Sequence, residues 1–384
     1  MQFEFATAGR IIFGPGAVAQ LGSIAKALGR RVLFVTGRSA ERVERIRASL
    51  ASQVLNLIPF QVGSEPTVDL IAAGAGLAKE QGCDLVLSVG GGSVIDAGKA
   101  IAACLTNEGE LLDYLEVIGQ GKPLVRSPAP FVAVPTTAGT GAEVTRNAVL
   151  ASTRHHVKVS LRSSLMLAKV ALVDPELTCN LPAALTASTG LDALTQVIEP
   201  YVSNRANPMT DPVCIEGMRR TAVSLRRACE NGDDQEARED MALASLFGGL
   251  ALANAGLGAV HGFAAPLGGM FHAPHGAVCA ALLPHATEIN IRALRERQPH
   301  AQALRRYQEM ARILTGRPQA SAEDGVRWLR ELCSALQTAS LGDYGVAKAH
   351  IPELVDKAGK ASSMRSNPIQ LTADEMREIL MSAL

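Results

Sequence analysis

The first half of this 384-residue chain alternates short, continuously apolar runs with segments of helical periodicity. Four runs rich in β-branched and large aliphatic residues predict strands at 32–36, 83–89, 131–134 and 170–173. Uninterrupted apolar strands that alternate with helices are typical of a parallel sheet whose two faces are both covered. The first half is therefore predicted to be an α/β unit built on such a sheet.

The β-rich runs stop after Asp174-Pro175, and residues 182–384 have the pattern of successive helices. Prolines are expected to punctuate these helices at Pro200, Pro208, Pro212, Pro266, Pro274, Pro284 and Pro352. We predict a boundary there, with an α/β domain over 1–181 and an all-helical domain over 182–384. The cleft between two such halves is a default place for a ligand.

The charge balance and the cysteine content indicate which binding partners and which cellular compartment are compatible with this chain. The 37 Lys and Arg residues balance 37 Asp and Glu residues, which argues against nucleic acid or an acidic membrane as the partner and favours a small molecule. Seven cysteines form no C-x-x-C pair, as expected of free thiols in a reducing cytoplasm. Residues 241–271 carry no Asp, Glu, Lys or Arg, but their seven glycines indicate a core segment rather than a membrane span.

Two polar glycine-rich turns follow predicted strands. The run Gly90-Gly91-Gly92-Ser93 opens a helix-compatible segment, where free backbone N–H groups suit a phosphate. Residues 135–145, with four threonines and two glycines, follow the next strand. Because the carboxyl ends of parallel strands meet at one edge of a sheet, the two turns together predict a nucleotide diphosphate site. For the glycine triplet 90–92 alone, a tight turn that requires glycine is the alternative.

A carboxylate and two histidines form a candidate metal site in the second half. Asp192 and Gln196 are four residues apart and share one face of a predicted helix. Asp192 lies among apolar residues, where a lone carboxylate needs a cation. His261 and His275 could join it, since histidine with a carboxylate is a usual ligand set for Zn²⁺ or Fe²⁺. A histidine with apolar neighbours is more often a satisfied core residue, so the spacing alone favours that interpretation and leaves the metal site as the alternative.

Together these motifs resemble the iron-containing alcohol dehydrogenase family, the group III dehydrogenases related to glycerol dehydrogenase and 1,2-propanediol oxidoreductase. The resemblance runs almost from end to end, through residues 10–16, 90–96, 135–143, 173–177, 190–194, 261–262 and 274–276. It implies a dehydroquinate synthase-like architecture, in which a Rossmann-like nucleotide-binding domain precedes an all-α domain. It also implies an oxidoreductase that binds a nicotinamide dinucleotide across the cleft.

The resemblance assigns dinucleotide contacts by matching positions. The implied contacts are Gly91, Gly92 and Ser93 at the pyrophosphate, Thr136, Thr137 and Thr140 at the phosphates and nicotinamide ribose, Lys158 at a ribose hydroxyl and Asp96 at the nicotinamide end. Members that prefer NAD typically carry an acid after the first long strand, where this chain has Gly37. Arg38 or Arg42 could instead meet a 2′-phosphate, whereas Glu65 would repel one, so NAD and NADP both remain open.

The family's metal is held by an aspartate and three histidines, and Asp192, His261 and His275 match three of these positions. Gln196 occupies the fourth. Its neutral amide oxygen is a poorer ligand than imidazole, so the metal is expected to bind more weakly or to differ in kind. Glycerol dehydrogenases are similar in holding Zn²⁺ without that fourth ligand. A bound metal would act as a Lewis acid on the substrate oxygen.

A second departure is Ala265, which stands where the family often has another histidine near the nicotinamide. His272 is the remaining candidate in this segment for relaying a proton to solvent, with an ordinary surface imidazole as the alternative.

The motifs lead to one main functional hypothesis and three rivals. We expect an NAD(P)-dependent oxidoreductase that interconverts a small primary alcohol or diol and its aldehyde, with catalytic help from the metal site and His272. The rivals are a metal-free oxo-acid reductase like the maleylacetate reductases, a lyase like dehydroquinate synthase, and a catalytically inactive binding protein. A homodimer is expected from the general prevalence of symmetric dimers among soluble enzymes.

Overall fold

The computed structural model describes residues 2–38, 40–51, 53, 55–155 and 157–384. Side chains at 40–42, 45, 49 and 51 also lie outside the description, and Arg42, a candidate phosphate contact, is one of these. The chain separates into two compact units. The α/β unit comprises Ala6–Thr137 and Gly141–Cys179, and the helical unit comprises Met1–Phe5, Ala138–Thr140 and Asn180–Leu384. The domain boundary at 181/182 stays a prediction.

The α/β unit is built on a six-stranded, fully parallel sheet with the strand order β1-β8-β5-β4-β2-β3. Its strands are β1 (Ile11–Phe13), β2 (Arg31–Thr36), β3 (Asn56–Gln61), β4 (Leu85–Gly90), β5 (Phe131–Pro135) and β8 (Val170–Val173). The other two strands, β6 (Asn147–Ser152) and β7 (Val157–Arg162), form a separate antiparallel hairpin. The central strands are almost wholly buried, because helices cover both faces. The predicted parallel sheet is confirmed.

Helices complete both units. The α/β unit has α1 (Leu21–Leu28), α2 (Ala40–Ala51), α3 (Val68–Glu80), α4 (Gly92–Thr106) and α5 (Leu111–Tyr114). The helical unit has α6 (Ala183–Val202), α7 (Asp211–Glu230), α8 (Gln235–Ala255), α9 (Ala259–Phe271), α10 (His275–Arg297), α11 (Gln302–Thr315), α12 (Ala322–Ala335), α13 (Ile351–Gly359) and α14 (Ala373–Ser382). Residues 182–384 contain no strand, which confirms the predicted all-α half. Each unit has its own apolar core.

Several local predictions are corrected. The strand predicted from residue 83 begins at Leu85, and the Asp84 carboxylate just before it accepts bonds from the Arg30 and Arg31 N–H groups at the start of β2. The pattern missed β1 and β3, which are the two edge strands of the sheet and are only partly buried. It also missed the β6–β7 hairpin.

The expectation that every named proline would interrupt the helices is wrong for three of them. Pro200 lies inside α6, Pro266 inside α9 and Pro284 inside α10. A proline deprives a helix of one N–H donor, but packing of the surrounding apolar residues compensates for that loss here.

The long uncharged segment forms two helices rather than one. Within the described residues, no helix on its own has both the length and the apolar character needed to cross a bilayer. Helices α8 and α9 meet both conditions only as a pair, and they are bent by 99° at the break between them.

A buried lysine and a buried glutamate hold the segment that follows β5. The Lys99 ammonium on α4 donates to Ala142 O at 2.8 Å, to Thr145 Oγ1 at 2.9 Å and to Asn147 O at 2.7 Å. Glu143 lies between these contacts and is 3% exposed. Burial raises the pKa of Glu143 to about 7, although Lys99 partly opposes the shift.

Replacing Glu143 by Gln should remove a pH-dependent loss of stability. The folded protein holds the Glu143 proton up to about pH 7, whereas the unfolded chain releases it near pH 4.5. The wild type therefore loses stability between these values, by about 3 kcal/mol at most, and E143Q does not. Urea unfolding of chelated protein at pH 5 and pH 8 measures the difference. The exposed Glu80→Gln serves as control, and E143Q curves that parallel the control would refute the assignment.

Candidate functional site

Four ligand atoms converge inside the helical unit. They belong to Asp192 on α6, His261 on α9, and His275 and Cys279 on α10, and all lie within 4.8 Å of one another. Asp192 Oδ1 is 3.3 Å from His261 Nε2 and 3.6 Å from His275 Nε2. Asp192 is 1% exposed, whereas the His275 side chain is 40% exposed. We call these four residues the metal-ligand cluster. The cluster is buried at Asp192 and exposed to solvent at His275.

Glycine at two positions lets the helices come close enough to form the cluster. A Cβ atom at Gly276 would lie 2.7 Å from the carbonyl carbon of Ser188, a contact that backbone atoms cannot relieve. Because residue 276 is glycine, the start of α10, which carries His275, can pack directly against α6. At Gly258 a Cβ would lie 2.9 Å from Glu199 Oε1. This second glycine lets Glu199 reach the start of α9.

Glu199 positions His261. One Glu199 oxygen accepts the Val260 N–H at 2.7 Å, and the other lies 2.7 Å from His261 Nδ1. A carboxylate accepts hydrogen bonds only, so Nδ1 carries a proton, and the neutral imidazole has its lone pair at Nε2, the nitrogen on the side of Asp192. Metal-binding histidines are commonly oriented in this way, by a carboxylate that accepts a hydrogen bond from the ring nitrogen that does not bind the metal.

Gln196 lies one helical turn after Asp192 and is 1% exposed. Its amide nitrogen donates to Gly139 O at 3.0 Å. Its oxygen is buried, and the described residues offer it no hydrogen-bond donor. Asp192 Oδ1 likewise makes no hydrogen bond, despite its closeness to two imidazole nitrogens. Two buried oxygens are therefore left for a ligand to satisfy.

The pKa shifts in the metal-ligand cluster indicate a site that favours bound positive charge. Burial raises the pKa of Asp192, but His275, His261 and Gln196 outweigh burial, and the net pKa lies below its ordinary value. Burial likewise lowers the pKa of His261, but Cys279, Asp192 and Glu199 bring it well above 6.5. In the absence of an ion, protons on the imidazoles supply the positive charge that the carboxylates require. Ligand type, convergence and charge all fit a divalent metal.

The structure adds two residues to the site residues predicted from sequence, and it does not bring one predicted residue into the metal-ligand cluster. Cys279 and Glu199 received no predicted role, although the H-x-x-x-C spacing of His275 and Cys279 on a helix could have suggested a shared face. His272, the predicted proton relay, is exposed at the end of α9 with a φ of 52°. Among the described residues, no hydrogen bond joins His272 to the cluster, and its role stays a prediction.

In the α/β unit, the two predicted glycine-rich turns meet. They follow the adjacent parallel strands β4 and β5, and Thr136 N–H donates to Gly90 O at 3.0 Å. A Cβ at Gly91 would lie 3.3 Å from Thr137 Oγ1. The amides of residues 94 and 95 bond to Gly91 O, but no side chain caps α4. The amides of Gly92 and Ser93 are thus placed to bind an anion.

The remaining predicted dinucleotide contacts are divided between the units. Thr140 belongs to the helical unit. In the α/β unit, the Arg38 guanidinium lies over Gly63, which follows β3, and the exposed Arg38 side chain follows Gly37 at the end of β2. Lys158 and Glu65 form an ion pair, so the negative charge of Glu65 is countered. Asp96 accepts the Val149 N–H at 3.0 Å and lies 3.5 Å from Lys99 Nζ.

Comparison with known proteins identifies the family. The profile of the "Iron-containing alcohol dehydrogenase" family matches residues 8–175, and that of the "Fe-containing alcohol dehydrogenase family, C-terminal" matches residues 186–384. The chain belongs to the iron-containing alcohol dehydrogenase family.

Individual known proteins are similar to this one over nearly the whole chain. Alcohol dehydrogenase 4 of Schizosaccharomyces pombe is 36% identical over 379 residues, which cover 97% of this chain and 87% of that protein. A crystal structure of 1,3-propanediol oxidoreductase has a TM-score of 0.93 and 33% identity, with 100% of both chains covered. Sulfoacetaldehyde reductase from Bifidobacterium kashiwanohense, in complex with NAD⁺, has a TM-score of 0.87 and 27% identity, and the match covers 100% of this chain and 99% of that one.

Family membership confirms the resemblance seen in the sequence and makes this protein an oxidoreductase of the alcohol dehydrogenase class. The metal-free oxo-acid reductase and the lyase are not favoured. The family also implies a nicotinamide dinucleotide and a divalent metal.

Replacing Glu199 by Gln is expected to weaken metal binding by about 10–100-fold. The Val260 N–H and His261 Nδ1 face different Glu199 oxygens, and glutamine has an NH₂ group in place of one of them. An NH₂ group toward Nδ1 would favour the wrong imidazole tautomer, and one toward Val260 would oppose the backbone N–H. Competition with a chromophoric chelator measures the affinity. Glu309→Gln, which alters a carboxylate bonded to Tyr201, is the control. Equal affinities in the two variants would contradict the positioning role.

Proposed function

We propose that this protein reversibly oxidises a small primary alcohol or diol to its aldehyde with NAD⁺ or NADP⁺, aided by a divalent metal held by Asp192, His261 and His275. The observation that carries the proposal is the buried Asp192 oxygen, which has no hydrogen bond and faces two imidazole nitrogens at 3.3 and 3.6 Å. Such an oxygen is costly without a cation. Gln196 could add its unpartnered amide oxygen as a weak neutral ligand.

The reaction transfers a hydride from the alcohol carbon to the nicotinamide ring and releases the hydroxyl proton. When bound, the metal supplies the positive charge that favours loss of this proton and polarises the aldehyde in reverse. Glu199 keeps His261 in the tautomer that can bind a cation. The exposed side of His275 gives the substrate oxygen access from solvent, and His272 would pass the proton outward.

The α/β unit would bind the dinucleotide. The amides of Gly92 and Ser93 at the start of α4 would hold the pyrophosphate, with Gly91, Thr136 and Thr137 beside them. Arg38 could pair with a 2′-phosphate, and the Lys158–Glu65 ion pair weakens the objection that Glu65 would repel it. Thr140, Asp96 and Gly37 keep their predicted roles, and the relative with bound NAD⁺ supports at least that cofactor.

Cofactor oxidation with a panel of small aldehydes tests the proposal. NADH and NADPH absorbance is followed with added Zn²⁺ or Fe²⁺, and the alcohol formed is quantified. We expect saturable reduction of at least one aldehyde, with cofactor loss equal to alcohol gain. A protein that binds NAD(P)H but reduces no aldehyde with either metal would instead be the inactive binding protein considered above. The predicted homodimer and cytoplasmic location stay predictions.

A further inference from the structure

Cys279 is the fourth member of the metal-ligand cluster, and its sulfur points to the same place as the other three ligand atoms. Cys279 Sγ lies 3.9 Å from His261 Nε2 and 3.8 Å from His275 Nε2. The residue is fully buried and sits one helical turn after His275 on α10, so the two side chains share a face. The described residues contain no other cysteine in a cluster of this kind.

Four of the six separations among these atoms are close to the edges of a coordination tetrahedron. With metal–nitrogen and metal–oxygen distances of about 2.0–2.1 Å and a metal–sulfur distance of about 2.3 Å, tetrahedral edges are roughly 3.3–3.7 Å. The measured separations of 3.3, 3.6, 3.8 and 3.9 Å lie at or slightly above that range. The other two separations are at most 4.8 Å, so an inward movement of the side chains would bring all four atoms into ligand distance of one ion.

The adjacent amide does not compete well with this sulfur. The Gln196 nitrogen is held by Gly139 O, and its oxygen is neutral. A thiolate carries a full negative charge and binds Zn²⁺ strongly. With an imidazole absent at position 196, sulfur is the stronger remaining donor beside Asp192 and the two histidines.

We propose that Cys279 is a direct ligand of the metal, so that the site is an Asp-His-His-Cys centre selective for Zn²⁺ over Fe²⁺. The proposal deepens the proposed function and rests on its metal site. Soft thiolate ligands favour zinc, whereas oxygen and imidazole donors discriminate less. Zinc can expand to five ligands during catalysis, so a sulfur ligand is compatible with binding of the substrate oxygen.

Cobalt(II) substitution tests the ligand directly, without an activity readout. The chelated protein is titrated with Co²⁺ and its near-ultraviolet and visible spectrum is recorded. We expect a sulfur-to-cobalt charge-transfer band that saturates at about one ion per chain. The band should be absent from Cys279→Ser and Cys279→Ala. It should be retained by Cys333→Ser, which alters another buried thiol of the helical unit.

Affinity gives a second readout. Loss of Cys279 should weaken Zn²⁺ binding by more than the roughly 10–100-fold typical of residues that act through a ligand, and it should weaken Fe²⁺ binding less. Tight binding of Co²⁺ by the wild type without the charge-transfer band would overturn the sulfur ligand and leave the proposed function intact. Failure of the wild type to bind Co²⁺ at all would overturn both. The wild-type spectrum decides between these outcomes even if a cysteine variant fails to fold.

Discussion

Replacing Asp192 by Asn should remove the metal and lower turnover by at least about 1000-fold, which corresponds to the several kcal/mol that a Lewis-acid cation supplies. Asp192 contributes the carboxylate of the metal-ligand cluster, and its Oδ1 is buried without a hydrogen bond. Asparagine has the same shape but no charge, so the cation would lose its principal electrostatic partner in a site of low dielectric.

The matched control for D192N is Thr195→Val on the same helix. Thr195 is also fully buried, but its hydroxyl donates only to Leu191 O within α6. Metal content is measured by elemental analysis and turnover by NADH oxidation. Both variants should have the wild-type circular dichroism spectrum. If D192N retained metal and turnover within a few-fold of T195V, the cluster would not be the metal site.

Replacing Ser93 by Asp should weaken dinucleotide binding by about 100-fold or more without loss of stability. Two unit charges about 4 Å apart near a protein surface interact by roughly 4 kcal/mol, and solvent reduces this value. The new carboxylate would therefore repel the pyrophosphate. The same charge in the first turn of α4 stabilises the helix by about 0.3–1 kcal/mol. Binding and stability should thus change in opposite directions.

Ser93→Asn separates charge from shape, because it is isosteric with the aspartate and neutral. Binding of NADH is followed by the change in its fluorescence, and unfolding is followed by thermal denaturation. We expect S93N to bind within about tenfold of the wild type, consistent with the loss of one neutral hydrogen bond. Equal affinities of S93D and S93N would show that the pyrophosphate does not lie at the start of α4.

The sheet and the helical half could be predicted because their residues are buried on all sides. Strands β2, β4, β5 and β8 are continuously apolar for this reason. Strand β3 could not be found from the same pattern, since it lies at an edge, contains Pro59 and has only exposed and half-buried positions. Pro266 and Pro284 look like helix ends in the sequence, but tertiary packing carries both helices through them.

The candidate metal site was predicted in part. Asp192, His261 and His275 could be named from motifs that resemble a known family, and the structure brings their ligand atoms together. Glu199 and Cys279 matter only through the packing of α6 against α9 and α10, which depends on close approaches such as that of Gly276 to Ser188. The spacing of His275 and Cys279 could have suggested a shared helix face, but contacts between residues far apart in the chain cannot be found from a local sequence pattern.

The central claim is that catalysis depends on a metal in this cluster, and metal reconstitution tests it most directly. Protein is stripped with a chelator, and Zn²⁺ or Fe²⁺ is added back in substoichiometric steps while aldehyde reduction and bound metal are both measured. We expect activity to be lost on chelation and to rise in proportion to bound metal until about one ion per chain is reached. Full turnover in protein that contains less than about a tenth of an ion per chain would contradict the account.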